Sequence, residues 1–166
     1  AATKKKIEEL HNQLGDLIEK RKKLHELQNA VNKPYFLWHL FFADVFEKGG
    51  FDIVIGNPPY LRIQGIRKDN PRMADELSKK FSSATGSFDL YVLFVEQAFG
   101  LIKKNAIVNY IMPVKWTNAA FGSGLRKIVA ENSYASKIIS FGAYQVFNVS
   151  TYTGIQWFKK NLNERT

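Results

Sequence analysis

The sequence contains no cysteine, which rules out disulfides, thiolate metal sites and cysteine nucleophiles. It has only three histidines, His11, His25 and His39. They are scattered and unpaired, so no metal site is expected. No apolar run approaches the roughly 18 to 20 residues of a membrane span, and the densest stretch, Phe36 to Phe46, is broken by His39 and Asp44. A membrane partner is therefore not expected. The Lys-rich beginning has no apolar signal core, so nothing marks the chain for export and a cytoplasmic location is expected. What is present is ordinary for a folded domain: 45% hydrophobic and 23% charged residues in a chain of 166, enough to bury a real core. The formal charge of +9 suits a polyanionic partner, with a generic basic surface as the competing reading.

Residues 4 to 31 read as one long helix. Ile7, Leu10, Leu14, Leu17, Leu24 and Val31 follow a seven-residue repeat interrupted by Arg21 and Gln28, so the helix is expected to pack on its own domain or on a partner helix rather than form a long autonomous zipper. Its lysines are interspersed with Glu8, Glu9, Asp16, Glu19 and Glu26, the pattern of a solvated face. Pro34 stops it. The aromatic stretch from Tyr35 to Phe42 needs burial, and Gly49-Gly50 makes a turn. Phe51 to Ile55 then reads as a buried parallel strand, ended by Gly56-Asn57-Pro58-Pro59-Tyr60. Residues 61 to 86 form a long polar connection, either functional or disordered. A helix is expected from Ser87 to Lys104, ended by Asn105, then a buried strand from Ala106 to Met112 stopped at Pro113. A helix near Thr117 to Glu131 and strands near Ala135 to Phe141 and Thr151 to Phe158 complete the chain, the last two as an antiparallel hairpin. This order indicates an open α/β sheet. Ligands gather beyond the carboxyl ends of such strands, where Asn57 to Tyr60 and Pro113 to Trp116 lie.

The run Phe51-Asp52-Ile53-Val54-Ile55-Gly56-Asn57-Pro58-Pro59-Tyr60 resembles the catalytic motif of amino-methyltransferases that use S-adenosylmethionine. Its surroundings are similar to the adenine methyltransferase part of combined restriction-modification enzymes of the type IIG kind. Trp38, Phe42, Val45, Phe46, Gly49 and Gly50 fit that family, while Asp44 stands where it usually has glutamate. The resemblance covers about Trp38 to Phe158. It implies the C-terminal half of a Rossmann-like methyltransferase sheet, residues 35–166, preceded by a coiled-coil-like helix over 1–34. The chemistry accounts for the residue types. An adenine amine is a poor nucleophile because its lone pair is delocalised into the ring. Two fixed acceptors, the Asn57 side-chain oxygen and the Pro58 carbonyl, would favour a tetrahedral nitrogen, and the prolines orient both beforehand.

A duplex adenine must be flipped out to reach such a loop. The resemblance implies Tyr60 stacked on one face of the base, with Pro59 in the substrate site and an aromatic from the Val146-Phe147-Asn148-Val149-Ser150 segment on the other. Phe147 fits, and Phe141 is its rival. Double-stranded DNA is the implied partner, with Arg62, Arg67, Lys68 and Arg72 of the basic connection as candidate phosphate contacts. Phe121-Gly122-Ser123-Gly124 mimics a glycine-rich cofactor loop but reads as a helix start, since it follows a polar segment rather than a strand. The family's cofactor glycine loop and ribose acid precede this motif, and neither is recognisable before Phe51. A fragment is therefore expected, inactive alone, with the missing N-terminal half as a further partner. The bare strand edge predicts self-association, or coverage by the helix or the aromatic stretch. Two other readings stay open: an amino-methyltransferase acting on protein glutamine or RNA, and a non-catalytic DNA-binding or oligomerisation module.

Overall fold

A computed structural model describes residues 2–29, 36–132, 134–144, 146–147 and 152–160. The chain divides into two compact units, Ala1–Phe41 and Phe42–Thr166. In the first, α1 (Ala2–Asn29) is a single helix. Its apolar repeat is solvent-facing, Ile7, Leu10, Leu14, Leu17 and Leu24 being 44–61% exposed. The helix gains support from its own surface, where Asp16–Lys20 and Glu19–Lys23 pair at one-turn spacing with the acid on the N-terminal side, the favoured order. Val31, Pro34 and Tyr35 lie outside the described residues. The rest of the aromatic stretch departs from expectation. Phe36, Leu37, Phe41 and Phe42 are exposed rather than buried. Phe36 stacks on Phe41 and meets Trp38 edge-on, both at 4.9 Å. A turn as short as α2 (Trp38–Phe41) brings rings onto one another but cannot supply a second layer to cover them.

The second unit holds a four-stranded sheet in the order β1-β2-β4-β3. After α3 (Ala43–Glu47), the turn at Gly49 and Gly50 takes positive φ at both residues, a conformation glycine adopts without penalty. A Cβ at Gly50 would also meet the Leu101 carbonyl at 2.5 Å. β1 (Phe51–Gly56) then runs parallel to β2 (Ile102–Pro113). The crossover between them includes α6 (Leu90–Leu101), apolar nearly all round and therefore buried. β4 (Thr153–Lys159) lies antiparallel between β2 and β3 (Ala135–Ser140). The core sits on one sheet face. Val108, Tyr110 and Met112 of β2 and Phe158 of β4 meet Tyr91, Val92, Val95 and Phe99 of α6, together with Leu125 and Val129 of α7 (Ser123–Glu131).

Three further expectations are corrected. β1 is parallel but not buried on both sides, because Ile53 and Ile55 are 57% and 76% exposed. Parallel strands are normally covered on both faces. Among the described residues β1 pairs only with β2 and nothing covers its Ile53 and Ile55 side chains, although Phe42 and Phe46 pack edge-on against Phe51 at its start. The 61–86 connection, expected to be functional or disordered, is largely helical: it forms α4 (Ile63–Asp69) and α5 (Pro71–Lys80) before an irregular stretch from Phe81. Asn70 caps α5 by accepting from the Met73 N–H, with Pro71 in the first turn, a strong start signal inside a polar run. Finally, α6 stops at Leu101, and Lys103 to Asn105 belong to β2. Asn105 takes φ of 62° within a stretch where the β1 register slips between Phe51 and Ile53, as a bulge requires.

Candidate active site

The chain leaves β1 at Gly56, where an added Cβ would sit 3.2 Å from the Tyr110 ring. Asn57 follows in irregular backbone and is exposed, Pro58 is buried, and Pro59 and Tyr60 are half-buried. Two fixed φ angles and one buried ring thus hold an exposed amide at the carboxyl end of a parallel strand. Tyr60 is pinned at its far end, its hydroxyl donating to the Ile111 carbonyl on β2 at 3.0 Å. Burial pushes its ionisation up to about 12, so it stays a neutral flat ring throughout the ordinary pH range. It meets Tyr91 at 6.5 Å and Phe147 at 6.3 Å between ring centroids. Tyr91 in turn meets Phe121 at 6.3 Å, so a ladder of rings runs from Phe147 through Tyr60 and Tyr91 to Phe121.

Phe147 is therefore brought to Tyr60 from a distant part of the chain. Its plane stands 67° from that of Tyr60, so holding a base between two parallel faces requires Phe147 to turn. Phe141 is partly buried beyond β3, and Asn148 to Thr151 lie outside the described residues. The basic candidates separate. Arg62 stays beside the loop, its backbone bridged to Asp89 and its Nε 3.9 Å from the Asp89 carboxylate. Arg67 and Lys68 sit in the last turn of α4, exposed. Arg72 is committed on α5 to Glu76, 3.0 Å away.

Sequence reasoning placed Trp116 at this end of the sheet but passed over Gln156, Arg126 and Asp89, which shape it with Trp116. Trp116 is buried, and its indole N–H donates to Gln156 Oε1 at 2.7 Å. Gln156 itself is fully buried and donates through Nε2 to the carbonyls of Met112 at 3.0 Å and Pro113 at 3.3 Å. Arg126 donates to the carbonyls of Trp116 and Ala119 at 2.6 and 2.7 Å. Together they fix the segment that carries Lys115 out beyond β2. Asp89, the residue before α6, is held above the usual carboxylate range by burial, against the pull of Arg62 and Lys115. A polar residue within an apolar strand, Gln156 in Gly154 to Phe158, was the one local hint of the buried network.

The glycines of the Phe121-Gly122-Ser123-Gly124 segment are used for packing at the entry to α7. A Cβ on Gly122 would collide with the Trp116 carbonyl, and one on Gly124 would lie 2.7 Å from the Ser82 carbonyl. They have no surface left to cradle a cofactor, which agrees with their reading as a helix start. Among the described residues no cluster of His, Asp or Glu could hold a metal ion, and no helix is long and apolar enough to cross a membrane.

Comparison with known proteins adds the family. Over 115 residues the chain is 39% identical to the type II restriction enzyme and methyltransferase RM.Eco57I of Escherichia coli, covering 69% of this chain and 12% of that protein. In fold it is similar to a Listeria monocytogenes protein described as a class I S-adenosylmethionine-dependent methyltransferase, with a TM-score of 0.52 at 18% identity over 70% of this chain and 34% of that one. It is also similar to a type I restriction-modification methyltransferase subunit from Streptococcus thermophilus, with a TM-score of 0.50 at 22% identity over 69% of this chain and 24% of that one. The chain thus spans a minor part of each, and its sheet is part of a Rossmann-like methyltransferase fold. Residues 1–147 match the Eco57I restriction-modification methylase family, and the chain belongs to that family.

Proposed function

We propose that the chain is the base-handling part of a DNA methyltransferase of a restriction-modification system, acting on the exocyclic amine of a flipped adenine. One observation carries this reading: an exposed asparagine amide, followed by a buried and a half-buried proline, at the carboxyl end of β1 and beside two aromatic rings. In this reading the Asn57 oxygen and the Pro58 carbonyl accept the two amine hydrogens, and the nitrogen lone pair is left free for attack. Pro59 shapes the wall of the site. Tyr60 stacks on one face of the base, and Phe147 turns to cover the other. S-adenosylmethionine, the cofactor implied by the fold, supplies when bound a methyl group already activated on sulfur. The described residues offer no glycine cradle for its methionine and ribose, since Gly122 and Gly124 are occupied by packing. Those contacts are assigned to parts of the longer relatives that this chain does not span, and the chain alone is expected to be inactive.

The test is an acceptor assay with a labelled methyl donor, using a complete methyltransferase that contains this chain. Duplex DNA, RNA and protein are offered in parallel, and the expected product is methylated adenine in duplex DNA. Label confined to RNA or to protein glutamine would move the assignment to another amino-methyltransferase. Salt-sensitive DNA binding with no cofactor effect and no product would leave a binding module.

The same reading gives β1 a partner layer that the described residues do not provide. Burying Ile53 and Ile55 would contribute about 1.5 to 3 kcal/mol each, a strong incentive to associate through an open edge. The 166-residue chain is expected to self-associate in sedimentation velocity, and Ile55→Lys to shift it toward monomer. A wild-type chain that sediments as a clean monomer would contradict this.

A further inference from the structure

Beyond the catalytic loop, a cavity of about 580 Å³ opens at the carboxyl ends of β1 and β2, with Arg62, Gln64, Ser87, Asp89, Lys115 and Phe121 in its walls. We propose that it seats a backbone phosphodiester of the DNA strand that carries the flipped nucleotide. This inference rests on the function proposed above and adds to it a specific contact.

Position is the first argument. Arg62 lies two residues past Tyr60 and Lys115 two past Pro113, so the cavity adjoins the place where a base would enter. It is also tied to that place mechanically, because Phe121 in its wall touches Tyr91, which touches Tyr60. Charge is the second. Two cations face one carboxylate, and Asp89 lies against Arg62 at 3.9 Å. Lys115 is exposed and makes no ion pair of its own among the described residues. The surplus of one positive charge matches the single negative charge of a phosphodiester. A metal cation would meet net repulsion here, and a base would find only one flat apolar wall, Phe121. The third argument is rigidity. Gln156 and Arg126 hold the segment around Lys115 through the carbonyls of Pro113, Trp116 and Ala119, so the backbone that carries its ammonium needs no rearrangement on binding, and only the side chain itself is ordered there.

The test uses the 166-residue chain and a fluorescent duplex with one unpaired adenine, titrated across a salt series. Lys115→Gln is expected to weaken binding several-fold and to lower the slope of log Kd against log salt by about one, the signature of one lost phosphate contact. A duplex with a neutral methylphosphonate at the phosphate beside the unpaired adenine supplies the second arm. It should weaken binding by the wild-type chain and have no further effect on Lys115→Gln. No measurable binding by the wild-type chain, an unchanged slope, or purely additive effects of the two changes overturns the proposal. Circular dichroism of the variant checks that it is folded. Methylation of DNA by the complete enzyme alongside any of these negative results would leave the function standing and remove only the cavity's role.

Discussion

Asn57→Ala in the complete enzyme is expected to reduce methyl transfer by at least about 10²- to 10³-fold, the scale set by losing one preorganised polar partner of a reacting group. DNA affinity should be largely retained. The side chain is exposed and makes no hydrogen bond among the described residues, so its removal should change folding stability by no more than about 0.5 kcal/mol. The loss therefore reads on chemistry rather than on structure. The prolines would still hold the backbone, and the Pro58 carbonyl would remain as a single acceptor, too few to fix both amine hydrogens. Single-turnover kinetics at saturating DNA, with binding measured separately, distinguishes the two effects. Full turnover by the variant would take the loop out of the mechanism.

Gln156→Leu is expected to destabilise the fold by on the order of 3 to 5 kcal/mol, the sum expected from stranding several buried polar groups. Leucine has similar bulk, so the loss is not one of volume. It leaves the Trp116 indole N–H and the Met112 and Pro113 carbonyls facing an apolar side chain at a position with no solvent access. The indole N–H then has no partner, and the carbonyls lose one of the bonds they accept, each at a desolvation cost. By contrast, Arg72→Ala breaks only the exposed one-turn pair with Glu76, and should cost about 0.3 to 0.5 kcal/mol. Urea unfolding of the two variants side by side checks the ratio. A Gln156→Leu loss below about 1 kcal/mol would mean that the segment after β2 is held mainly by Arg126.

How much was legible depended on how local each cause was. The Phe51 to Tyr60 run declared a strand and a proline-locked turn because hydrophobicity and two fixed φ angles act within the segment itself. The apolar α6 and the hairpin pairing of β3 with β4 were readable for the same reason. The helices of the 61–86 segment were not foreseen because the apolar residues at their inner faces, Ile63, Ile66, Ala74 and Leu77, were outweighed by charge in the run, although Asn70-Pro71 is a helix start. The end of α6 was misplaced because a bulge at Asn105 depends on pairing with β1, a partner far away in sequence. Burial of the aromatic stretch and of β1 was inferred from composition, yet whether a hydrophobic face is covered depends on a neighbour that the pattern cannot supply.

The sequence by itself determined the chemistry on offer: an asparagine amide and a proline carbonyl at the end of a strand, aromatic rings and an excess of positive charge. Only the tertiary structure decided which of these meet. It brought Phe147 to Tyr60, set Gln156 against the backbone just before Lys115, placed Arg62 and Lys115 in the walls of one cavity and left Ile53 and Ile55 of β1 exposed among the described residues. The reason is that local propensities act through neighbouring dihedrals, whereas a site is assembled by strand order and crossover, and those are set by packing between residues that no short pattern links.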